Sequence, residues 1–130
     1  MAEMAVAANK YAFIENLWKD WSPGWKYPPE EMDALKATFA KPKVVSAALG
    51  YYRAMFRGGP GGAGGAQKIR VPTLTLRGAT DGCVGGELYD GMDKSFSGPF
   101  TLATIPGAGH FMHQEKPDEV TALILKFLQS

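Results

Sequence analysis

Asp81 and His110, which lie 29 positions apart, are the residues of this chain best suited to acid–base chemistry. Each follows a short run of apolar and β-branched residues, at 71–76 and 101–105. A carboxylate that accepts a hydrogen bond from one imidazole nitrogen fixes the ring tautomer and stabilises the imidazolium, so the other nitrogen can take a proton. Taken singly, Asp81 could merely cap a following helix and His110 could be an ordinary loop histidine. Their joint order and context favour an acid–base pair.

The two apolar runs alternate with helical patterns. Apolar residues recur at helical spacing in residues 86–96, and a final helix is predicted to begin at Pro117. An order of strand, helix, strand, helix predicts an α/β fold in which two parallel strands are joined by a right-handed crossover. Because functional groups gather beyond the carboxyl ends of parallel strands, Asp81 and His110 are expected at the same edge of the sheet.

The first 57 residues are predicted to be helical throughout. One amphipathic helix is indicated around residues 11–21, a second begins at Pro28 and Pro29, and a third covers residues 45–56. Six of the nine residues at 58–66 are glycine, a composition typical of a flexible linker. The predicted organisation is therefore a helical region at 1–57, a glycine-rich linker at 58–70 and a core region at 71–130.

Composition excludes several classes of function. With 130 residues, 45% of them hydrophobic and 21% charged, the chain can form one compact domain with a real core. The net charge of +1 argues against nucleic acid as a partner. No apolar run is long enough to span a membrane, so a cytoplasmic protein is expected. The single cysteine, Cys83, excludes an intrachain disulfide and a cysteine-based metal site.

A third catalytic group, the nucleophile, is not recognisable in these 130 residues. None of the serines lies in a Gly-x-Ser-x-Gly turn, and no equivalent aspartate turn occurs. The serines are Ser22, Ser46, Ser95, Ser97 and Ser130. Removal of one member of a catalytic triad of nucleophile, base and acid costs most of the rate. The chain alone is therefore not expected to be a competent hydrolase that works through such a triad.

Residues 72–82 resemble the penultimate core strand and acid loop of the α/β-hydrolase family. Residues 106–111, followed by 115–120, resemble its last strand, histidine loop and terminal helix. The helical region at 1–57 resembles the cap that such enzymes insert, above all in the epoxide hydrolase and haloalkane dehalogenase branch. The resemblance thus implies the C-terminal part of an α/β-hydrolase fold, with two parallel strands and helices, preceded by a helical cap-like region.

The resemblance also implies roles for particular residues. Asp81 would orient His110, which would act as general base on a small apolar substrate such as an epoxide, a haloalkanoate or an ester. Residues 49–53 resemble the segment in which epoxide hydrolases place a cap tyrosine, and Tyr52 would then donate a hydrogen bond to the epoxide oxygen. The alternative is that Tyr52 packs against the core. Trp21 and Phe111 are candidates for an apolar substrate pocket, although aromatic residues at helical spacing are more often core. No metal or organic cofactor is implied.

Two neighbouring residues have simpler interpretations. His113 is expected to be a surface or supporting residue, because no third metal ligand accompanies the two histidines. Cys83 is expected to be an inert thiol.

A different class of function stays open. The chain could be a non-catalytic, truncated domain that acts as a binding module, or one half of a split enzyme. Because a sheet of two strands has unpaired edges, pairing with a complementary N-terminal half or with a second copy of the chain is expected.

Overall fold

The computed structural model describes residues 1–57 and 67–130, which form two compact units. Within the described residues, the first unit comprises 1–18 and 26–57, and the second comprises 19–25 and 67–130. Residues 19–25, which the sequence analysis includes in the helical region at 1–57, group with the second unit. Most of the predicted glycine-rich linker, residues 58–66, lies outside the described residues.

The first unit is helical. It contains most of α1 (Ala2–Trp21), together with α2 (Pro29–Phe39) and α3 (Val44–Arg57). Helix α2 begins with a proline, whose missing N–H is no loss in the first turn, and two glutamates lie at the positive end of its dipole. Ion pairs join Glu15 to Lys36 and Glu3 to Arg53. The buried apolar side chains of this unit are Val6, Ile14 and Met32.

Helix α1 is not one continuous helix, although the first 57 residues are predicted to be helical throughout. Ala8 is extended, with ψ of 148°, and residues 9–11 have φ between 50° and 62°, in the left-handed region. L-residues adopt this region at a cost of about 1–2 kcal/mol each. The buried residues Val6 and Ile14 lie on either side of the interruption, so each helical stretch buries one apolar side chain.

The second unit is built on a parallel pair of strands, as the sequence predicts. Strand β1 (Thr73–Gly78) pairs in register with β2 (Phe100–Ile105), from Thr73 opposite Phe100 to Gly78 opposite Ile105. A single bridge between Ile69 and Phe96 extends the pairing before the strands begin. The fold class is α/β, with two parallel strands and helices.

The predicted helix over residues 86–96 is wrong. Two single turns of 3₁₀ helix, Gly86–Tyr89 and Met92–Ser95, occupy this connection. Between them Asp90 is extended and Gly91 has φ of 74°, a left-handed conformation that ends the first turn. The spacing of Leu88, Met92 and Phe96 is therefore not evidence of an α-helix here.

Two helices follow β2. The short α4 (Met112–Glu115) was not predicted, whereas α5 (Pro117–Leu128) begins at the expected proline. The core of the unit consists of Ile105, Ala108 and Val120, all buried, and Leu76, Met112 and Leu123 pack against it. Helix α5 thus closes one side of the strand pair and holds the loop that follows β2.

Over residues 1–57 and 67–130, no helix combines the length and the apolar character needed to cross a membrane.

Candidate functional site

The structure places Asp81 and His110 side by side. Asp81 follows the end of β1 and His110 follows the end of β2, so the parallel register brings both loops to one edge. The His110 Nδ1 atom lies 3.0 Å from Oδ2 and 3.2 Å from Oδ1 of Asp81. The Asp81 side chain is 7% exposed and that of His110 is 31% exposed. The carboxylate is therefore sequestered, while part of the imidazole stays accessible.

Asp81 is held by more than the histidine. Its Oδ1 accepts hydrogen bonds from the backbone N–H groups of Cys83, at 2.7 Å, and Val84, at 2.9 Å. Burial alone would raise the pKa of Asp81, but the hydrogen bonds from Val84, His110 and Cys83 outweigh it and the pKa is lowered. Asp81 is thus ionised at neutral pH and acts as an acceptor. In a neutral imidazole hydrogen-bonded to it, the proton must sit on Nδ1.

Backbone hydrogen bonds tie the acid loop to the histidine loop. The Ala108 carbonyl accepts the Thr80 N–H at 2.9 Å and the Thr80 hydroxyl at 3.0 Å. A second anchor is the Trp21 carbonyl, which accepts the N–H groups of both Gly82 and His110 at 3.0 Å. Residues from the end of α1 therefore help to fix both members of the pair, even though they are far away in the sequence.

Two loop glycines are required by the close approach of this segment. A Cβ on Gly109 would lie 2.6 Å from the Ser22 Cα and 2.8 Å from the Trp21 carbonyl oxygen. A Cβ on Gly82 would lie 2.0 Å from the Asp20 carbonyl oxygen. Each distance is too short for any side chain, so the glycines are needed for space on the side that faces residues 20–22.

A buried polar pair lies behind the histidine. Ser22, only 2% exposed, donates its hydroxyl hydrogen to Glu115 Oε1 at 2.7 Å. The same hydroxyl oxygen accepts the Phe111 N–H at 3.1 Å. Glu115 also accepts the Gly109 N–H, at 2.9 and 3.0 Å from its two oxygens. The backbone N–H groups on both sides of His110 are therefore satisfied by side chains.

Aromatic rings border the imidazole. Trp21 and Phe111, predicted as pocket residues, have ring centroids 5.0 and 5.3 Å from that of His110, both edge-on. Trp25 adds a further ring, 5.7 Å from Phe111. Such edge-to-face contacts provide an apolar border and fix ring orientation.

The side chains of the other residues singled out in the sequence have different surroundings. Tyr52 belongs to the first unit, on α3, where its side chain is 52% exposed and its ring contacts that of Tyr51 at 5.5 Å. His113 is exposed on α4. Burial and the Asp81 charge raise the pKa of the exposed Cys83 thiol, which disfavours a reactive thiolate. Within the described ranges, no three metal-ligating side chains cluster in a way that could hold an ion.

Sequence reasoning missed Ser22 and Glu115. In the sequence Ser22 stands out only as one of the serines outside a Gly-x-Ser-x-Gly turn, and Glu115 only as the first residue of the range 115–120 that resembles a family motif. Their contacts span 89 and 93 positions, so no local pattern connects them. The available signal was a carboxylate five residues after His110, in a loop that must satisfy its backbone donors.

Curated proteins similar to this chain are epoxide hydrolases. Epoxide hydrolase A of Mycobacterium tuberculosis is 36% identical over 107 residues, which is 82% of this chain and 33% of that protein. Epoxide hydrolase 3 of Xenopus tropicalis is 32% identical over 104 residues, 80% of this chain and 28% of that protein. The chain thus spans about a third of the length of the curated relatives it matches. No family model matches the chain.

A solved structure shares the fold. The crystal structure of a candidate epoxide hydrolase from Klebsiella pneumoniae matches with a TM-score of 0.74 at 24% identity. The match covers 98% of this chain and 45% of that protein. The architecture described above is therefore part of a larger fold of the same kind.

Proposed function

From the premise that this chain belongs to the epoxide hydrolase-like branch of the α/β-hydrolase family and spans part of its fold, we propose that Asp81 and His110 form the acid–base pair of a hydrolase. The observation that carries the proposal is the contact of 3.0 Å between His110 Nδ1 and Asp81 Oδ2 at the edge of the parallel strand pair. An ionised, sequestered carboxylate beside a partly exposed imidazole is the arrangement that a general base requires.

The proposed chemical step is hydrolysis of an ester formed between substrate and nucleophile. With Nδ1 engaged by Asp81, Nε2 of His110 takes a proton from water, and the water oxygen attacks the carbonyl carbon of the ester. The alcohol then leaves with a proton returned from the imidazolium. Asp81 stays ionised throughout, because its role is to hold the tautomer and stabilise the imidazolium charge.

The nucleophile is proposed to lie outside these 130 residues. Ser22, which contacts the histidine loop, is buried and hydrogen-bonded to Glu115, and its oxygen already accepts the Phe111 N–H. It has no free approach to a substrate and is not in a nucleophile turn. We therefore assign the chain the acid, the base and their supporting loops.

The proposed substrate is small and largely apolar: an epoxide, a haloalkanoate or an ester. The edges of Trp21 and Phe111 beside His110 favour an apolar group over a charged one. The curated relatives carry the name epoxide hydrolase, which favours an epoxide. Under that proposal Tyr52 would donate a hydrogen bond to the oxygen of the opening ring.

A turnover assay with two histidine variants tests the proposal. The purified chain, alone and mixed with the portion of the M. tuberculosis protein that it does not match, is incubated with aryl epoxides and aryl esters. His110→Ala is expected to abolish turnover in any mixture that is active. His113→Ala is the matched control, since it removes an exposed imidazole three positions away and is expected to keep full activity.

Two results would count against the proposal. Equal rates for the unaltered chain and His110→Ala would remove the general base. Absence of turnover in every mixture, combined with tight binding of the same epoxides, would favour the non-catalytic binding module instead. The specific observation behind that second candidate is the missing nucleophile turn in these residues.

The partner is proposed to be a complementary part of the fold or a second copy of the chain. Among the described residues the sheet has two strands, so β1 and β2 each have one edge with no strand beside it. Such edges pair readily with further strands. Size-exclusion chromatography with light scattering tests this: a stable monomer that gains no mass with the complementary portion would contradict it.

A further inference from the structure

We propose that Ser22 and Glu115 are positioning residues for His110, acting through the backbone on both sides of the imidazole. This pair, which we call the Ser22–Glu115 tether, has no role in the chemistry proposed above. The inference rests on the proposed acid–base role of His110, and it adds that the ring is aimed by two side chains that never touch it.

The first argument is the hydrogen-bonding pattern. Glu115 accepts the Gly109 N–H, and Ser22 accepts the Phe111 N–H while donating to Glu115. The two N–H groups that flank His110 are therefore bound to the same connected pair. The His110 N–H itself is bound to the Trp21 carbonyl at 3.0 Å, one residue from Ser22. Three consecutive backbone donors are thus fixed by one short segment and one carboxylate.

The second argument is burial. Ser22 is 2% exposed, and a polar group in such a place is retained only where its hydrogen bonds are made. Both functions of the hydroxyl are used, one as donor and one as acceptor. Glu115 is partly buried and accepts from two different groups. A helix end that only needed to stop would not require a serine linked to a carboxylate 93 positions later.

The third argument is the space available to the loop. Gly109 approaches Ser22 so closely that any Cβ would collide with its backbone and with its hydroxyl, at 2.6 Å from each. The backbone of the loop is therefore packed directly against residues 21 and 22, with little room to shift. We infer that this packing sets the direction of the His110 side chain and so helps to hold its Nδ1 atom 3.0 Å from Asp81 Oδ2.

The inference is tested by the tautomer of His110, which is measurable without any turnover. The chain has two histidines, so a His113→Gln background leaves His110 as the single imidazole. Long-range ¹H–¹⁵N correlation spectra at mildly alkaline pH report which ring nitrogen carries the proton. The unaltered loop is expected to give the Nδ1–H tautomer, because Asp81 is an acceptor.

Ser22→Ala and Glu115→Ala are expected to lose that single tautomer and give a mixture of both, although Asp81 is still present. Glu115→Gln keeps the shape and one acceptor oxygen, so a smaller change in the same direction is expected. The matched controls are Ser97→Ala and Glu119→Ala, which remove the same groups from exposed positions and should leave the spectrum unchanged. Circular dichroism confirms that each variant is folded.

The outcomes separate this inference from the proposed function. If folded Ser22→Ala and Glu115→Ala keep the Nδ1–H tautomer, the positioning role is refuted, even if their melting temperatures fall, because lower stability alone is a structural effect. If Asp81→Asn leaves the tautomer unchanged, the acid–base pair itself is refuted. Should Glu115→Ala not fold, Ser22→Ala and Glu115→Gln decide the matter, since they remove little volume.

Discussion

The histidine loop and helix α3 carry the two kinds of residue that the family resemblance assigns to function, and they are built very differently. Asp81, in the acid loop bound to the histidine loop, is 7% exposed and accepts hydrogen bonds from two backbone N–H groups besides the one from the histidine. On α3, Tyr52 is 52% exposed and its ring contacts that of the more exposed neighbour Tyr51. Several contacts thus fix the position of Asp81 beside His110, whereas a half-exposed side chain on a helix keeps more rotamer freedom. We expect substitutions to be far more costly at the loop.

The largest effect is expected from Asp81→Asn. An amide in place of the carboxylate would favour the wrong imidazole tautomer, and in a comparable triad this change lowers kcat about 10⁴-fold. The measurement is the steady-state rate of epoxide or ester turnover in the active mixture. Asp93→Asn, an exposed aspartate on the second 3₁₀ turn, serves as control. A loss below tenfold for Asp81→Asn would mean that the carboxylate does not orient the base.

Gly109→Ala is expected to have the next largest effect. The added Cβ would lie 2.6 Å from the Ser22 Cα, so the loop or residues 21 and 22 must move, at a cost of about 3 kcal/mol in the free energy of unfolding. Urea denaturation measures it. Gly24→Ala is the control in the same segment, because nothing lies within 4 Å of its Cβ. Equal stability of the two variants would show that the histidine loop is not seated on residues 21 and 22.

Tyr52→Phe tests the other side of the comparison. Loss of one hydrogen-bond donor to a developing oxyanion typically costs about 10²-fold in kcat, equivalent to about 2.7 kcal/mol. The stability of the chain should change little, because the side chain is half-exposed. Tyr51→Phe removes the same hydroxyl one position earlier and is expected to be neutral. Equal epoxide turnover by Tyr52→Phe and the unaltered chain would leave Tyr52 without a catalytic role.

The smallest effect concerns pH and stability. Since the pKa of Asp81 is lowered in the folded chain, its ionised form stabilises the fold above the ordinary carboxyl pKa. That contribution is lost as the pH falls through the lower, folded-state value. The difference in Tm between the unaltered chain and Asp81→Asn should therefore shrink as the pH falls below about 4. A difference that grows on acidification would contradict the sign of the shift.

Periodicity predicted the regular elements well, and its failures have identifiable causes. Helix α5 begins at Pro117 and the strand pair is parallel, as the alternation of patterns indicates. The helix prediction for residues 86–96 failed, because Gly91 adopts a left-handed conformation between two single turns of 3₁₀ helix in spite of the helical spacing of the apolar residues. The interruption of α1 at residues 8–11 has no proline or glycine to announce it.

The candidate site was predictable to the extent that topology placed it. Residues that follow the carboxyl ends of neighbouring parallel strands lie at the same edge of the sheet. The structure brings Asp81 and His110 together at that edge. Trp21, Ser22 and Glu115 enter through contacts between segments about 90 positions apart, which depend on how the end of α1 packs. No local sequence pattern encodes that packing.

The Trp21 carbonyl oxygen has one more consequence. Because this single atom accepts hydrogen bonds from the N–H groups of both Gly82 and His110, the protection of the two amide protons depends on the same acceptor. A fluctuation that frays the end of α1 would release them in the same event, and native-state hydrogen exchange should then report equal opening free energies for both. The loops that carry Asp81 and His110 would then open together with the C-terminal end of α1, rather than one after the other.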